Sequence, residues 1–249
     1  MIFYTGTHKV NHAKDLDRAF LSVNILRNRR SDFVAHDWIM DSGAFTEVST
    51  FGRYRSDPDE YAQQIERWKT CGNLQIAVCQ DYMCEPWIIE KTGLTVSDHQ
   101  RLTIERYDAL LTMTTVSIMP VLQGYQVEEY LAHLNMYGER LADGAWVGVG
   151  SICKRNSRPV VIRRILGAIA HQRPDLRLHG FGLKLTALAD AKVTDLLYSA
   201  DSMAWSWAAR YEGRDANAVS EAIAYTERVL AIAGTKPSQL EIGLSELGI

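Results

Sequence analysis

Residues 146–181 read WVGVGSICKRNSRPVVIRRILGAIAHQRPDLRLHGF, and this stretch decides the fold. It opens on a short apolar run, Trp146 to Gly150, bounded by glycine and too short for a helix. Apolar residues at helical spacing then mark an amphipathic segment at 158–172, and a second short run, Arg177 to Phe181, follows closely. Strand, helix and strand joined by few residues form a parallel unit covered by its helix.

The same alternation extends to both ends of the chain. Ile2 to Thr5, Trp38 to Asp41, Leu74 to Gln80, Ser117 to Leu122 and Leu196 to Asp201 join the two runs above as candidate strands, making seven. Further helices are expected near 12–28, 126–141 and 216–233. Asp57-Pro58-Asp59-Glu60 offers an N-cap, a first-position proline and acidic first-turn residues, and Ser97-Asp98-His99-Gln100 reads as a capping box. No linker, repeat or low-complexity segment interrupts the pattern, so residues 1–249 are read as a single domain. Seven or eight such units in one domain fit an α/β, TIM-like (β/α)8 barrel better than an open doubly wound sheet. The eighth strand is not evident, and the barrel is expected to be irregular near Arg27 to Phe33.

The 249 residues are 47% apolar, enough to bury a full core. A formal charge of −3 gives no general attraction to phosphate, so a nucleic acid would have to be held by a local basic patch. Cys71, Cys79, Cys84 and Cys153 form no CxxC pair and have no His at zinc-ligand spacing, so neither a metal, a cofactor nor a disulfide framework is expected. Met1 runs into Ile2-Phe3-Tyr4-Thr5 without a charged leader, and no apolar stretch approaches the roughly 20 residues that span a bilayer. A reduced, cytoplasmic protein with no membrane partner is the expectation.

In a barrel of this kind the site is built at the carboxyl ends of the strands. Those ends are polar here: Met40-Asp41-Ser42-Gly43-Ala44-Phe45, Gln80-Asp81-Tyr82-Met83-Cys84-Glu85-Pro86, Leu122-Gln123-Gly124, Gly148-Val149-Gly150-Ser151, His179-Gly180-Phe181-Gly182 and Ala200-Asp201-Ser202-Met203. A lone Asp at such a place more often caps the loop that follows. Three of them, Asp41, Asp81 and Asp201, accompanied by Gln123 and by glycines that let a ligand approach the backbone, read instead as one catalytic pocket.

These motifs resemble the queuine tRNA-ribosyltransferase (tRNA-guanine transglycosylase) superfamily. There an Asp-Ser-Gly-Gly-aromatic motif, an Asp-x-Cys motif, a Gln-Gly, a Gly-rich strand and a Met-Gly-x-Gly follow in the same order. Gln80 to Pro86 and Ala200-Asp201-Ser202-Met203-Ala204-Trp205-Ser206 share the style of its compact DpdA-like branch, associated with 7-deazaguanines in DNA. The chain also departs from the superfamily pattern. Asp81-Tyr82-Met83-Cys84 is one residue longer than Asp-x-Cys, and Ala44 and His179 replace the usual Gly and Met. Residues 207–219 hold no Cys or His, so the zinc segment that builds the tRNA enzymes' tRNA and dimer surface is missing there.

The resemblance implies exchange of guanine in DNA for a 7-deazaguanine (preQ0-type) base through a covalent aspartyl-glycosyl intermediate. Asp201 would be the nucleophile and Asp41 the general acid/base, held in drier surroundings that raise its pKa. Asp81 would accept from N1 and the exocyclic amine of the base, Gln123 and the backbone near Gly148 would donate to O6, and Gly150 would be part of the base site. Ser42 and Gly180 would line the pocket, with Phe45 and His179 stacking on the base. Arg53, Arg55, Lys154, Arg155, Arg158 and Arg210 follow strand ends and are read as the basic patch for DNA, with Trp205 and Trp207 as stacking surfaces. A partner that opens the DNA is also implied, as is the cytoplasm of a bacterial cell or phage-infected host. tRNA-guanine exchange, an N-glycosidase in which water resolves the intermediate, and a purine- or nucleic-acid-binding barrel without catalysis remain the alternatives.

Overall fold

The computed structural model describes residues 1–234. Its strands are β1 (Ile2–Gly6), β2 (Arg18–Ser22), β3 (Asp37–Asp41), β4 (Asn73–Val78), β5 (Ile118–Met119), β6 (Val121–Leu122), β7 (Trp146–Val149), β8 (Arg177–Gly180) and β9 (Ser199–Ser202). All pair in parallel, in the order β5-β4-β3-β2-β1-β9-β8-β7-β6. β5 and β6 are halves of one stave, broken because Pro120 has no N–H for a ladder. Met119 O accepts from the Cys79 N–H at 3.0 Å and Pro120 O from the Gly148 N–H at 2.8 Å. The first half therefore pairs with β4 and the second with β7, and the sheet closes nearly completely into a TIM-like barrel.

The stave not evident in the sequence is β2, and it corrects the helix expected over 12–28. That segment is a 3-10 turn (Val10–Asp15), a strand, and a second 3-10 turn (Val23–Ile25). Ala13, Leu16, Ala19, Val23 and Leu26, all buried, fall three or four apart and imitate a helical stripe, although His12 before them and Leu21 among them are buried as well. The flanking strands override that local signal: β1 and β3 each present an open row of N–H and C=O groups, and β2 satisfies both.

Helices α1 (Ala44–Phe51), α2 (Pro58–Trp68), α3 (Pro86–Thr92), α4 (Val96–Met113), α5 (Val127–Tyr137), α6 (Pro159–Gln172), α7 (Leu185–Leu188), α8 (Ala191–Thr194), α9 (Ala204–Tyr211) and α10 (Val219–Gly234) surround the sheet. α2 starts at Pro58 as expected, although the Asp57 side chain makes no cap bond. The capping box of α4 is built on Thr95 rather than Ser97: Thr95 Oγ1 accepts from the Asp98 N–H, and the Asp98 carboxylate accepts from the Thr95 N–H, each at 3.1 Å. Among the described residues no helix is long and apolar enough to cross a membrane. Residues 235–249 of the expected single domain lie outside the described residues.

The barrel interior is aromatic. Tyr4, Trp146 and His179 meet with ring centroids 6.0–6.5 Å apart, and Phe20 stacks on His179 at 5.8 Å with 10° between planes. This plug supports the pocket at the carboxyl ends of the strands.

Candidate active site

The carboxyl ends of β3, β4, β6, β7 and β9 deliver Asp41, Asp81, Gln123, Gly150, Ser151 and Asp201 to one pocket of about 220 Å³. That is smaller than the roughly 300–1,000 Å³ of sites for drug-sized ligands and suits a single bicyclic base.

Asp41 closes β3. Its Oδ2 accepts from the Gly43 N–H at 3.1 Å, and Ser22 at the end of β2 also bonds its carboxylate. Gly43 is left-handed at φ 77°, and a Cβ there would be driven into the Asn24 carboxamide, so only glycine turns the chain from Asp41 into α1 at this point. Asp41 is partly buried and lines the pocket, and burial pushes its pKa up to about 6, with the Asp201 charge acting in the same direction.

Asp201 in β9 is held differently. Its Oδ1 accepts from the Gly182 N–H at 3.0 Å and lies 3.3 Å from His179 Nε2. The tautomer of His179 follows from its neighbours. Trp146 Nε1 can only donate, and it donates to Ser199 Oγ at 2.7 Å. Asp201 Oδ1, a carboxylate oxygen, accepts from the Nε2–H, which leaves His179 Nδ1 to accept from the Ser199 hydroxyl at 2.9 Å. His179 is fully buried and absent from the pocket wall, which corrects its expected role as a stacking face; it orients a carboxylate instead.

Asp81 follows β4 and is 6% exposed. Burial pushes its pKa up to about 7 against the opposing effect of a hydrogen bond from Gln123 Nε2, and the charges of Asp41 and Glu85 add to the rise. Gln123 continues through Oε1 to the Ser151 hydroxyl at 2.8 Å, and Ser151 lies 2.9 Å from Glu85 Oε2. A Cβ on Gly150 would overlap the Gln123 amide. Gly150→Ala is therefore expected to break the Gln123–Asp81 contact, lowering kcat/KM for base exchange at least about tenfold and stability by about 1–3 kcal/mol. Steady-state kinetics and thermal melting check both.

Other expected contacts are redistributed. The Gly148 and Gly150 N–H groups are consumed by the ladder, on Pro120 O and Leu122 O, so neither donates to a base. Gly148 instead leaves room for the Phe181 ring, and Gly180 for Leu183. Ser42 is fully buried and bonds Tyr54 Oη at 3.2 Å, and Tyr54 in turn donates to Asp81 O, tying two site loops together behind the wall. Phe45 lies at the mouth, half exposed, with Lys154 Nζ 5.1 Å from its ring centroid.

The expected basic patch divides. Arg53, Lys154, Arg158 and Arg210 are exposed. Arg55 is engaged in a two-pronged ion pair with the buried Glu47, and Arg155 donates to Tyr125 O while lying over that ring, so both build loops. Trp205 is buried with its Nε1 on Gly6 O, whereas Trp207 is 62% exposed and stacks on Tyr211 at 5.3 Å and 10°, beneath Lys184.

Sequence reasoning missed Phe20, Glu85, Ser151 and Phe181 on the wall, and Tyr211 and Lys184 packed on the exposed Trp207. Glu85, Ser151 and Phe181 stood inside the strand-end motifs, and the i,i+4 spacing of Trp207 and Tyr211 on one helix face was a readable signal. Phe20 was hidden by the helical imitation of β2. Among the described residues no group of three or more His, Cys, Asp or Glu is placed to hold a metal ion.

A parallel barrel whose strand ends converge acidic side chains on one pocket has the architecture of a (β/α)8-barrel enzyme site. Residues 1–230 match the family model DpdA, DeoxyPurine in DNA protein A. The chain belongs to that family, DNA deazapurine transglycosylases related to tRNA-guanine transglycosylase, and DNA is accordingly its substrate. No curated protein matches the chain.

Proposed function

We propose that this protein exchanges guanine in DNA for a 7-deazaguanine through a covalent glycosyl-aspartate on Asp201. The observation that carries the reading is the contrast between two carboxylates on one pocket. Asp201 is pinned through Oδ1 by His179 and Gly182, while burial lifts Asp41 to a pKa of about 6, where it both gives and takes a proton near neutrality. Asp201 attacks C1′ as the bond to N9 of guanine breaks, and Asp41 supplies the proton that the departing base requires. The entering base then gives its N9 proton to Asp41 and attacks C1′, and the bond to Asp201 breaks, restoring both carboxyl groups to their starting states.

Asp81 accepts from N1–H and the exocyclic amine, and Gln123 turns its second amide proton to O6. Phe20 and Phe181 flank the base in the place first expected of His179. Arg53, Lys154, Arg158 and Arg210 hold phosphates, and Trp207 with Tyr211 stacks on unpaired bases beside the flipped nucleotide.

The test is incubation with guanine-containing DNA and with tRNA separately, each with labelled guanine or a 7-deazaguanine, read by mass. Label in DNA alone is expected. Label in tRNA alone, or abasic DNA without label, would replace this reading by tRNA exchange or by base hydrolysis.

A further inference from the structure

Glu85 is a buried acid on the pocket wall, 2% exposed, that the exchange just described does not use. It ends a continuous row: Asp81 Oδ2 accepts from Gln123 Nε2, Gln123 Oε1 lies on Ser151 Oγ, and Ser151 Oγ lies on Glu85 Oε2. The edge of a guanine-like base presents its groups in a matching order, the exocyclic amine, N1–H, O6 and then position 7. With Asp81 on the first two and Gln123 on O6, the Ser151–Glu85 end of the row meets position 7.

The proton count at that end decides what is read there. Ser151 Oγ accepts from the Cys84 N–H at 3.0 Å and has one proton of its own, yet two acceptors face it, Gln123 Oε1 and Glu85 Oε2. This part of the wall is short of donors, and a buried acceptor left without one is costly. Guanine makes the shortage worse, because its N7 is another acceptor. A 7-deaza base replaces N7 by carbon and can carry a substituent that donates. Ser151 is also the one residue other than glycine with positive φ among those described, at 55°. A backbone held in that strained region marks a side chain whose placement matters.

Resting on the base-exchange reading above, we propose that Glu85, partnered by Ser151, reads the substituent at position 7 of the entering base. The base it selects is a 7-deazaguanine whose substituent carries N–H donors, an amine or amide, rather than the nitrile that the family resemblance implies. A nitrile offers only an acceptor to a wall already rich in acceptors.

The experiment offers wild-type protein guanine-containing DNA with labelled guanine, 7-aminomethyl-7-deazaguanine or 7-cyano-7-deazaguanine, separately and in competition. Labelled guanine reports the exchange reaction itself, so its absence would sink the base-exchange reading, whereas exchange without an amine preference would sink only this one. Wild type is expected to favour aminomethyl over cyano at least about tenfold, the scale of a hydrogen bond to a charged group. Glu85→Gln, which keeps size and shape, should cut that ratio about tenfold or more. An unchanged ratio in a Glu85→Gln protein that melts like wild type overturns the assignment. Should that variant not fold, a wild-type preference for the cyano base overturns the assignment and an amine preference upholds it.

Discussion

Asp201→Asn is expected to lower base exchange by on the order of 10⁴-fold or more while leaving the fold intact, because it removes the nucleophile and little else. The bonds that seat Asp201 end on Oδ1, which an asparagine carbonyl reproduces: it still accepts from the Gly182 N–H and from His179 Nε2. The amide nitrogen that replaces Oδ2 has no lone pair free to attack C1′. Single-turnover exchange measures the loss, a denaturing gel tests for the protein–DNA adduct, and thermal melting tests the fold. Wild-type rates, or an adduct that persists in the variant, would remove Asp201 from the nucleophile's role.

Asp81→Asn should act in opposite directions on activity and stability. Without an ionised acceptor the guanine edge loses its partner inside a dry pocket, and kcat/KM should fall on the order of 10³-fold. Stability follows from the raised pKa. In the unfolded chain Asp81 ionises near its ordinary value of 3.8, whereas burial holds the folded group protonated until about pH 7. Between those values the folded state binds the extra proton, so raising the pH across that window erodes stability, and above it the full cost remains. Asparagine carries no such cost. The variant should be more stable than wild type at pH 8, by up to about 4 kcal/mol at 1.36 kcal/mol per pKa unit, with the difference vanishing below pH 4. Denaturant unfolding at pH 4 and pH 8 measures the sign. In wild type, kcat/KM should rise on the acid side as Asp81 ionises and fall on the alkaline side as Asp41 loses the proton it supplies to the departing base, and a profile without the acid limb would separate Asp81 from base recognition.

The local signals of this chain are uneven, and the unevenness is physical. Runs such as Trp146 to Val149 and Arg177 to Gly180 are legible because each is a buried stave set off from its helix by turn residues. Arg18–Ser22 is as regular a strand in three dimensions, with alternating burial, yet apolar residues spaced three or four apart from Ala13 to Leu26 lay a false helical stripe across it and the two flanking 3-10 turns. The site residues divide in the same way. Asp41, Asp81, Gln123, Gly150 and Asp201 stand where strands end, and a parallel barrel brings all such ends to one face whatever lies between them. Their convergence needed only the topology.

What the sequence determined by itself was therefore the alternation of short staves and amphipathic helices, the barrel that alternation requires, and the acids and amide at its rim. Those depend on periodicity and on distance along the chain, which a linear string records. Only the tertiary structure decided which neighbour each group spends itself on. Phe20 from β2 stacks on His179 from β8 and lines the pocket in its place, and the tautomer of His179 is set by Asp201 and Ser199 on a third strand. The Gly148 and Gly150 N–H groups are taken by β6 and its flanking Pro120, Arg55 by Glu47, and Arg155 by Tyr125. A hydrogen-bond donor is used up by whichever acceptor reaches it first in space, and that competition between segments far apart in sequence has no local signature.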